Sequence, residues 1–249
     1  MPDATTILIL ATFLIAGTVK GVIGLGLPTV SLALLTVAID LPTAMALLLV
    51  PSFVTNLWQA LTGGNARLIL QRLWPFLLLA TVTIWIGASA LTRVNLSLLS
   101  ALLGALLMAY AGASLGGLRL TVSSRQELWV GPLVGLVNGV LTGMTGSFVV
   151  PGVMFLQAIG LTREVLIQAM GMLFALSTLA LAIALQRNAL LTAEQGVLSF
   201  SALLPALLGM GFGRRIRRRI SEQLFRKLFF IALFLLGIYI IANASGNFG

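Results

Sequence analysis

The sequence of 249 residues contains no cysteine and no histidine. Without cysteine, a disulfide framework and a thiolate metal site are excluded. Without histidine, the chain lacks the commonest metal ligand and the side chain best suited to proton transfer near neutral pH. It also has no Walker A sequence and no nucleophile with a base beside it. We therefore expect no metal, no cofactor and no catalytic residues, and the chain is not expected to be an enzyme.

Charge is scarce as well. Only 8% of the residues are charged and 59% are hydrophobic, whereas a water-soluble domain carries roughly 25% charged residues. The mean hydropathy is +1.10, and many apolar runs approach or exceed the roughly 20 residues that cross a bilayer. The composition predicts an all-α polytopic integral membrane protein. The N-terminus carries no positive region and no cleavage signal, so we interpret it as the first membrane segment.

The few charges are mostly basic, 15 against 6 acidic, for a net charge of +9. The densest basic stretch is "GRRIRRRI", from Arg214 to Arg219. No aromatic-rich soluble module accompanies it, so we expect no nucleic-acid partner. Cytoplasmic loops of membrane proteins carry such an excess, and anionic lipid headgroups are the expected partner of this stretch.

The apolar segments form two sets of five. They lie at about 5–21, 27–39, 42–62, 70–91 and 95–115, and then at about 128–141, 147–160, 162–186, 194–213 and 223–243. In each half the second segment is short and follows a glycine-rich interruption. The pattern predicts an N-terminal transmembrane repeat over 1–115, a cytoplasmic linker over 116–127 and a C-terminal transmembrane repeat over 128–249.

The two halves also resemble each other in sequence. "GTVKGVIG" (17–24) aligns with "GLVNGVLT" (135–142), so that Lys20 corresponds to Asn138. Chance similarity between glycine-rich apolar strings is the alternative. Segment order and length favour a repeat, and an interrupted segment at corresponding places in two halves is typical of secondary transporters.

The loop arginines predict the orientation. If the 214–219 cluster is cytoplasmic, most other loop arginines are cytoplasmic too, which favours two inverted-topology repeats with both chain termini outside. Whether the short second segments span or re-enter stays open, because both satisfy this distribution. The predicted inside arginines are Arg67, Arg72, Arg119 and Arg125, and the predicted outside ones are Arg93 and Arg187.

The stretch "KGVIGLGLP" (20–28) interrupts the first half. Gly24 and Gly26 allow the backbone to leave helical geometry, and Pro28 suits the first turn of a new helix. Unwound backbone at membrane depth must be buried in protein or line a watery cavity. The amides of the restarted helix then favour an anion.

The corresponding stretch of the second half is "NGVLTGMTGSFVVP" (138–151). We expect Gly143 and Gly146 to break the helix and Thr145 or Ser147 to cap its continuation. The predicted arrangement holds a small anion between the two glycine-broken segments near the midplane.

Lys20 is a functional candidate because a lysine in an apolar segment is costly unless it is paired, hydrated or able to snorkel. A bound anion would neutralise it. The alternatives are that Lys20 snorkels to an interface or meets Asp40.

The third segment carries Ser52, Asn56 and Gln59 on one helical face. Such a stripe is either substrate lining or packing between helices, and the related segment offers a weaker stripe of Gln168 and Ser177. Small residues four apart predict close helix packing at three pairs: Gly17/Gly21, Gly135/Gly139 and Gly209/Gly213.

The glycine break followed by proline, its repetition after a basic linker, and "ALLLVPSFVTNLWQ" (46–59) together resemble the TauE/SafE family of sulfite exporters over essentially the whole chain. The resemblance implies transport of sulfite or a sulfur-containing organic anion across the cytoplasmic membrane. It fixes neither the anion nor the direction, and many members have a denser glycine run than "GLGLP".

We therefore predict a secondary carrier, with an anion channel of the same architecture and a non-transporting membrane scaffold as alternatives. Coupling ion and oligomeric state are not predicted. The predicted substrate-binding residues are Lys20, Gly24, Gly26, Pro28, Ser52, Asn56, Gln59, Asn138, Thr142, Gly143, Thr145, Gly146 and Ser147.

Overall fold

The structure, a computed structural model, describes residues 4–118, 120–219 and 221–246. Over these residues every regular element is a helix and no β-strand is present, which confirms the all-α prediction. The predictions for Arg119 and for the two chain termini fall on residues outside these ranges.

Thirteen α-helices cover the described chain, and a 3-10 turn at Ser89–Thr92 follows the sixth. In chain order they are α1 (Ala4–Ile23), α2 (Leu27–Ala38), α3 (Leu41–Leu47), α4 (Leu49–Leu61), α5 (Ala66–Val82), α6 (Ile84–Ala88), α7 (Leu96–Leu115), α8 (Ser124–Thr145), α9 (Gly152–Ala158), α10 (Arg163–Arg187), α11 (Ala193–Ser201), α12 (Leu203–Ile216) and α13 (Glu222–Gly246).

Seven helical stretches of the described residues are long and apolar enough to cross a membrane, and the bent pair α3–α4 makes an eighth if it is one span. The chain is thus a multi-pass membrane protein, as its composition predicts. All ten predicted segments are helical, but α2 has 12 residues and α9 only 7, too few to span.

The chain forms two compact units, and each takes residues from both sequence halves. Unit 1 contains residues 1–51, 95–117 and 190–249, and unit 2 contains residues 52–94 and 118–189. The predicted boundary at 116–127 divides the chain into two repeats by sequence similarity. The compact units do not test that similarity, so the division stays a prediction.

In unit 1, α1 lies along α12 with the two backbones in close approach. A Cβ atom at Gly17 would overlap the carbonyl of Ala206, and one at Gly209 would overlap the carbonyl of Leu14. Gly21 and Gly213 face each other's helix in the same way. Small residues allow this approach, so the predicted packing role of both glycine pairs is confirmed.

In unit 2, α8 lies in the same manner along α5 and α6. Cβ atoms at Gly135 and Gly143 would overlap the carbonyls of Phe76 and Ile84, and one at Gly87 would overlap the carbonyl of Val140. Gly139 meets Thr83, whose hydroxyl donates to the carbonyl of Leu136 at 2.9 Å. The third predicted glycine pair is therefore also a packing pair.

The first two helices of each half form a hairpin within one unit. The N–H of Val122, just before α8, donates to the carbonyl of Ala158 at the end of α9 at 2.9 Å. The end of α9 therefore lies beside the start of α8, and the two helices form a hairpin. In unit 1, Gly26 contacts Phe229 early in α13, while the end of α2 shares a cavity with Tyr239 late in α13. Helix α1 runs toward the start of α13 and α2 runs away from it, so the chain reverses direction between α1 and α2.

Candidate functional site

The break in unit 1 is made by two glycines in left-handed geometry. Helix α1 ends at Ile23, where the N–H of Gly24 closes the last turn on the Lys20 carbonyl at 2.8 Å. Gly24 and Gly26 then have φ of 87° and 109°, values that glycine adopts without steric cost. Helix α2 follows with Pro28 in its first turn and no side-chain cap on its N-terminal amides.

Lys20 lies on the last turn of α1 and is only 4% exposed. This burial within the protein contradicts the alternative in which the side chain snorkels to an interface, because snorkelling exposes the ammonium. Asp40, the other alternative partner, is exposed, and its carboxylate caps α3 by accepting the N–H of Thr43 at 2.9 Å. Burying a lysine is costly, which keeps Lys20 a functional candidate.

The break in unit 2 comes later than predicted. The prediction that Gly143 breaks the helix was wrong, because Gly143 lies inside α8, which ends at Thr145 with Gly146 in left-handed geometry, φ 73°. The next helix begins at Gly152, so neither Thr145 nor Ser147 caps it. Helix α9 has only seven residues, so it is also too short to present at its N-terminus the strong partial positive charge that would favour an anion.

Buried polar side chains hold the loop of unit 2 in place. Asn138 accepts the N–H of Gly152 through its Oδ1 atom at 2.8 Å. The hydroxyl of Thr142 donates to the carbonyl of Ser147 at 2.9 Å, and the N–H of Ser147 donates to the hydroxyl of Thr145 at 3.2 Å. The chain is thereby fixed across the loop from α8 to the start of α9.

Several buried polar groups of unit 2 have no hydrogen-bond partner among the described residues. Among them are the indole Nε1 of Trp85 and, on side chains that are fully buried, the Nδ2 amide of Asn138 and the hydroxyls of Ser52 and Ser177. A buried polar group without a partner costs about 1–3 kcal/mol. Such groups are rare in native structures, and each calls for an explanation, a bound ligand among them.

Ser177 was missing from the predicted site. It lies one turn beyond Phe174, whose ring packs against Phe148 in the loop with the ring centroids 5.8 Å apart. This contact brings that part of α10 beside the loop that Asn138 anchors. The only signal in the sequence was the weak polar stripe on the segment that becomes α10, and a single serine in an apolar helix is a weak signal.

Of the polar stripe on α4, Ser52 and Asn56 are buried, and Gln59 joins two helices. The side-chain amide of Gln59 donates to the carbonyl of Ile167 at 2.6 Å. Gln168 returns the contact by donating to the carbonyl of Ala60 at 2.7 Å, and its Oε1 accepts the N–H of Asn65 at 2.8 Å. The geometry favours the packing role for Gln59.

Buried polar groups at interrupted helices are typical of polytopic transport proteins. A family model agrees: the model described as "Sulfite exporter TauE/SafE" matches residues 9–240, nearly the whole chain. The chain belongs to the TauE/SafE family, which is a family of membrane transporters and not of enzymes. Neither a curated protein nor a solved structure matches the chain.

Proposed function

We propose that the protein is a secondary carrier that moves a small anion, sulfite or a sulfur-containing organic anion, across the cytoplasmic membrane. Family membership supports the transport of sulfur anions. The observation that carries the proposal is the set of buried, unpartnered donors in unit 2, at Asn138, Ser52 and Ser177. The oxygens of an anion accept hydrogen bonds from all three groups, and the Asn138 amide nitrogen, which only donates, has nothing to offer a cation.

Lys20 supports the same proposal from unit 1. It is a buried lysine one turn before the interruption, and the amides of α2 that follow carry no side-chain cap. A helix of 12 residues presents a partial positive charge at that end. We propose that Lys20 and the backbone from Gly24 to Pro28 contribute to anion binding in unit 1.

We further propose that the two halves are inverted-topology repeats. The internal packing supports it: the first helix of each half lies along the fourth segment of the other half, α1 along α12 and α8 along α5–α6. Such reciprocal packing is expected of two copies of one fold. The cytoplasmic position of the arginine cluster and the outside position of the termini are parts of the same proposal.

The arginine cluster at 214–219 is proposed to contact anionic lipid headgroups. Arg214, Arg215, Arg218 and Arg219 are exposed, and each basic residue near an anionic membrane surface contributes about 1 kcal/mol of attraction. No oligomeric state is proposed.

Transport by proteoliposomes tests the function. We expect sulfite uptake to saturate and to be accelerated by sulfite on the opposite side, because a carrier exchanges its substrate. Flux without saturation and without acceleration from the opposite side would indicate a channel. The absence of any sulfite, sulfonate or thiosulfate flux, with folded protein, would support a scaffold.

A lysine pair tests the contribution of Lys20. We expect Lys20→Ala to weaken sulfite binding at least tenfold, measured as the shift of the unfolding temperature with sulfite concentration. Lys227→Ala removes the same charge from an exposed position in unit 1 and should bind sulfite as the wild type does. If both variants bind sulfite equally weakly, Lys20 affects binding only through the net charge of the protein.

Removing the unpartnered hydroxyls gives a sharper test, because each substitution should maintain or raise the stability of the protein while it weakens sulfite binding. Ser52→Ala and Ser177→Ala each delete a buried donor that has no partner, so the substrate-free protein should be equally or more stable, by up to about 1 kcal/mol. Sulfite binding should weaken in both. Ser245→Ala, where the hydroxyl bonds the carbonyl of Ile241 in its own helix, is the control. Unchanged binding in all three variants would remove these hydroxyls from the site.

A further inference from the structure

Arg72 joins three parts of unit 2 at the open end of its hairpin. Its Nε atom donates to Oε1 of Glu127 at 2.8 Å and its Nη2 atom donates to Oε2 at 2.7 Å. The same Nη2 atom donates to the carbonyl of Ile159, directly after α9, at 3.0 Å. One guanidinium therefore holds the start of α8 and the end of α9 against α5.

The two partners differ in access to solvent. The Arg72 side chain is 37% exposed and the Glu127 side chain only 9%. The three bonds use Nε and Nη2, and Nη1 takes part in none of the hydrogen bonds found within the described ranges. Two N–H groups of the guanidinium thus remain for an incoming acceptor, on the side that solvent can reach.

Two cavities meet at this arginine. An open one of about 540 Å³ is lined by Asn65, Arg67 and Gln71 together with Arg72. A more enclosed one of about 280 Å³ lies beyond it, between Glu127, Phe76 and Phe155. Gln71 and Arg72 line both. An anion in either cavity therefore lies beside Arg72.

The chemistry of the pair matches that of a sulfur oxyanion. A carboxylate bound through two oxygens by a guanidinium presents the same paired-acceptor geometry that sulfite or a sulfonate presents. The carboxylate of Glu127 therefore binds the guanidinium of Arg72 in the same way that a substrate anion would. The Arg72 side chain is partly exposed but the Glu127 side chain is largely buried, so an incoming anion must offset the cost of leaving that carboxylate without its partner.

We propose that Arg72 is an anion-recognition site at the entrance of unit 2 and that Glu127 is a built-in competitor, displaced when a sulfur oxyanion enters. This proposal rests on the proposed function only in that the cargo is an anion. Arg72 thus contacts the substrate directly, a role that the sequence pattern does not predict.

Single substitutions separate a competitor from a structural brace. Glu127→Gln keeps the shape of the side chain but removes the competing charge, so the Kd for sulfite should fall by at least about 2- to 5-fold, a lower limit set by the strength of exposed ion pairs. Arg72→Gln should raise the Kd about tenfold or more. Arg125→Gln, an exposed arginine two residues before Glu127, should leave the Kd unchanged.

The exchanged pair Arg72→Glu with Glu127→Arg makes the test decisive. A brace is restored by the exchange, so wild-type binding in the double variant, or weaker binding in Glu127→Gln, would overturn the proposal. Continued weak binding in the double variant supports it. If Arg72→Gln fails to fold, Arg72→Lys takes its place, because lysine keeps the charge but loses the fork and should still bind more weakly.

Two controls separate this proposal from others. If wild-type protein binds no sulfite or sulfonate at all, the proposed function and the role of Arg72 both fail, whereas wild-type binding with unchanged binding in Arg72→Gln overturns the role of Arg72 alone. A lipid headgroup carries similar chemistry, so binding is compared in phosphatidylcholine nanodiscs with and without phosphatidylglycerol. A gain in Glu127→Gln that is the same in both supports a free anion, and one that phosphatidylglycerol abolishes would assign the site to the headgroup instead.

Discussion

At the residue scale, the glycines of this chain serve two separate purposes. Some, such as Gly24, have positive φ and open space around them. Others, such as Gly209, lie within helices against a neighbouring backbone. The two kinds are indistinguishable as letters in the sequence, which is why Gly143 was taken for a break and is instead a packing residue.

A pair of glycines two residues apart in α12 makes the packing purpose testable. A Cβ atom at Gly209 overlaps the carbonyl of Leu14, whereas one at Gly211 meets nothing within 4 Å. Gly209→Ala should therefore lower the free energy of unfolding by about 1–3 kcal/mol, as overpacking does. Gly211→Ala should be neutral or stabilising by up to about 1 kcal/mol, because alanine is the better helix former. Reversible unfolding in mixed micelles measures both, and equal losses would contradict the close approach of α1 and α12.

At the element scale, the interruption after α1 depends on backbone geometry and not on space. No atom lies within 4 Å of a Cβ built on Gly24, yet its φ is 87°. Replacement by alanine should cost about 1–2 kcal/mol for the left-handed conformation, and asparagine should cost less because it visits that region.

The series Gly24→Asn and Gly24→Ala, with Gly196→Ala as the control, checks this expectation by thermal unfolding. Gly196 lies inside α11, also with nothing within 4 Å of a Cβ and without a positive φ. The expected order of stability is Gly, Asn, Ala at position 24. A more stable Gly24→Ala protein would mean that α1 continues past Ile23.

Much of the element pattern could be predicted from the sequence, because apolar length and glycine or proline punctuation are local signals. The exception is α9: the apolar run at 147–160 predicted a longer helix, but the loop up to Pro151 is fixed by Asn138 and Thr142, which are contacts that hydropathy does not report.

The candidate site was less predictable than the helices. Lys20 and Asn138 stand out as polar residues in apolar segments, and the structure shows both buried. Ser177 gives no such signal, because serine is common in membrane helices and only the lack of a partner marks it. Arg72 was assigned to a loop because it is charged. Its bonds to Glu127 and Ile159 join residues far apart in the chain, so nothing in the local sequence predicts them.

At the scale of the whole molecule, the orientation in the membrane is directly testable, because the chain contains no cysteine. Single cysteines at two exposed positions, Ala193→Cys and Ser221→Cys, suit labelling with a membrane-impermeant maleimide. We expect the residue at 193 to react in intact cells and the residue at 221 to react only after permeabilisation. The reverse pattern would place the arginine cluster outside.

The division into compact units has a consequence for biosynthesis. The last residue of unit 2 is Ala189, while unit 1 still needs the residues from Leu190 onward. During synthesis α1 is translated long before α12, whose glycines receive it almost 200 residues later. Until then α1 lacks the helix that packs most closely along it, and α7 likewise waits for α13, so much of unit 1 packs only after unit 2 has been translated.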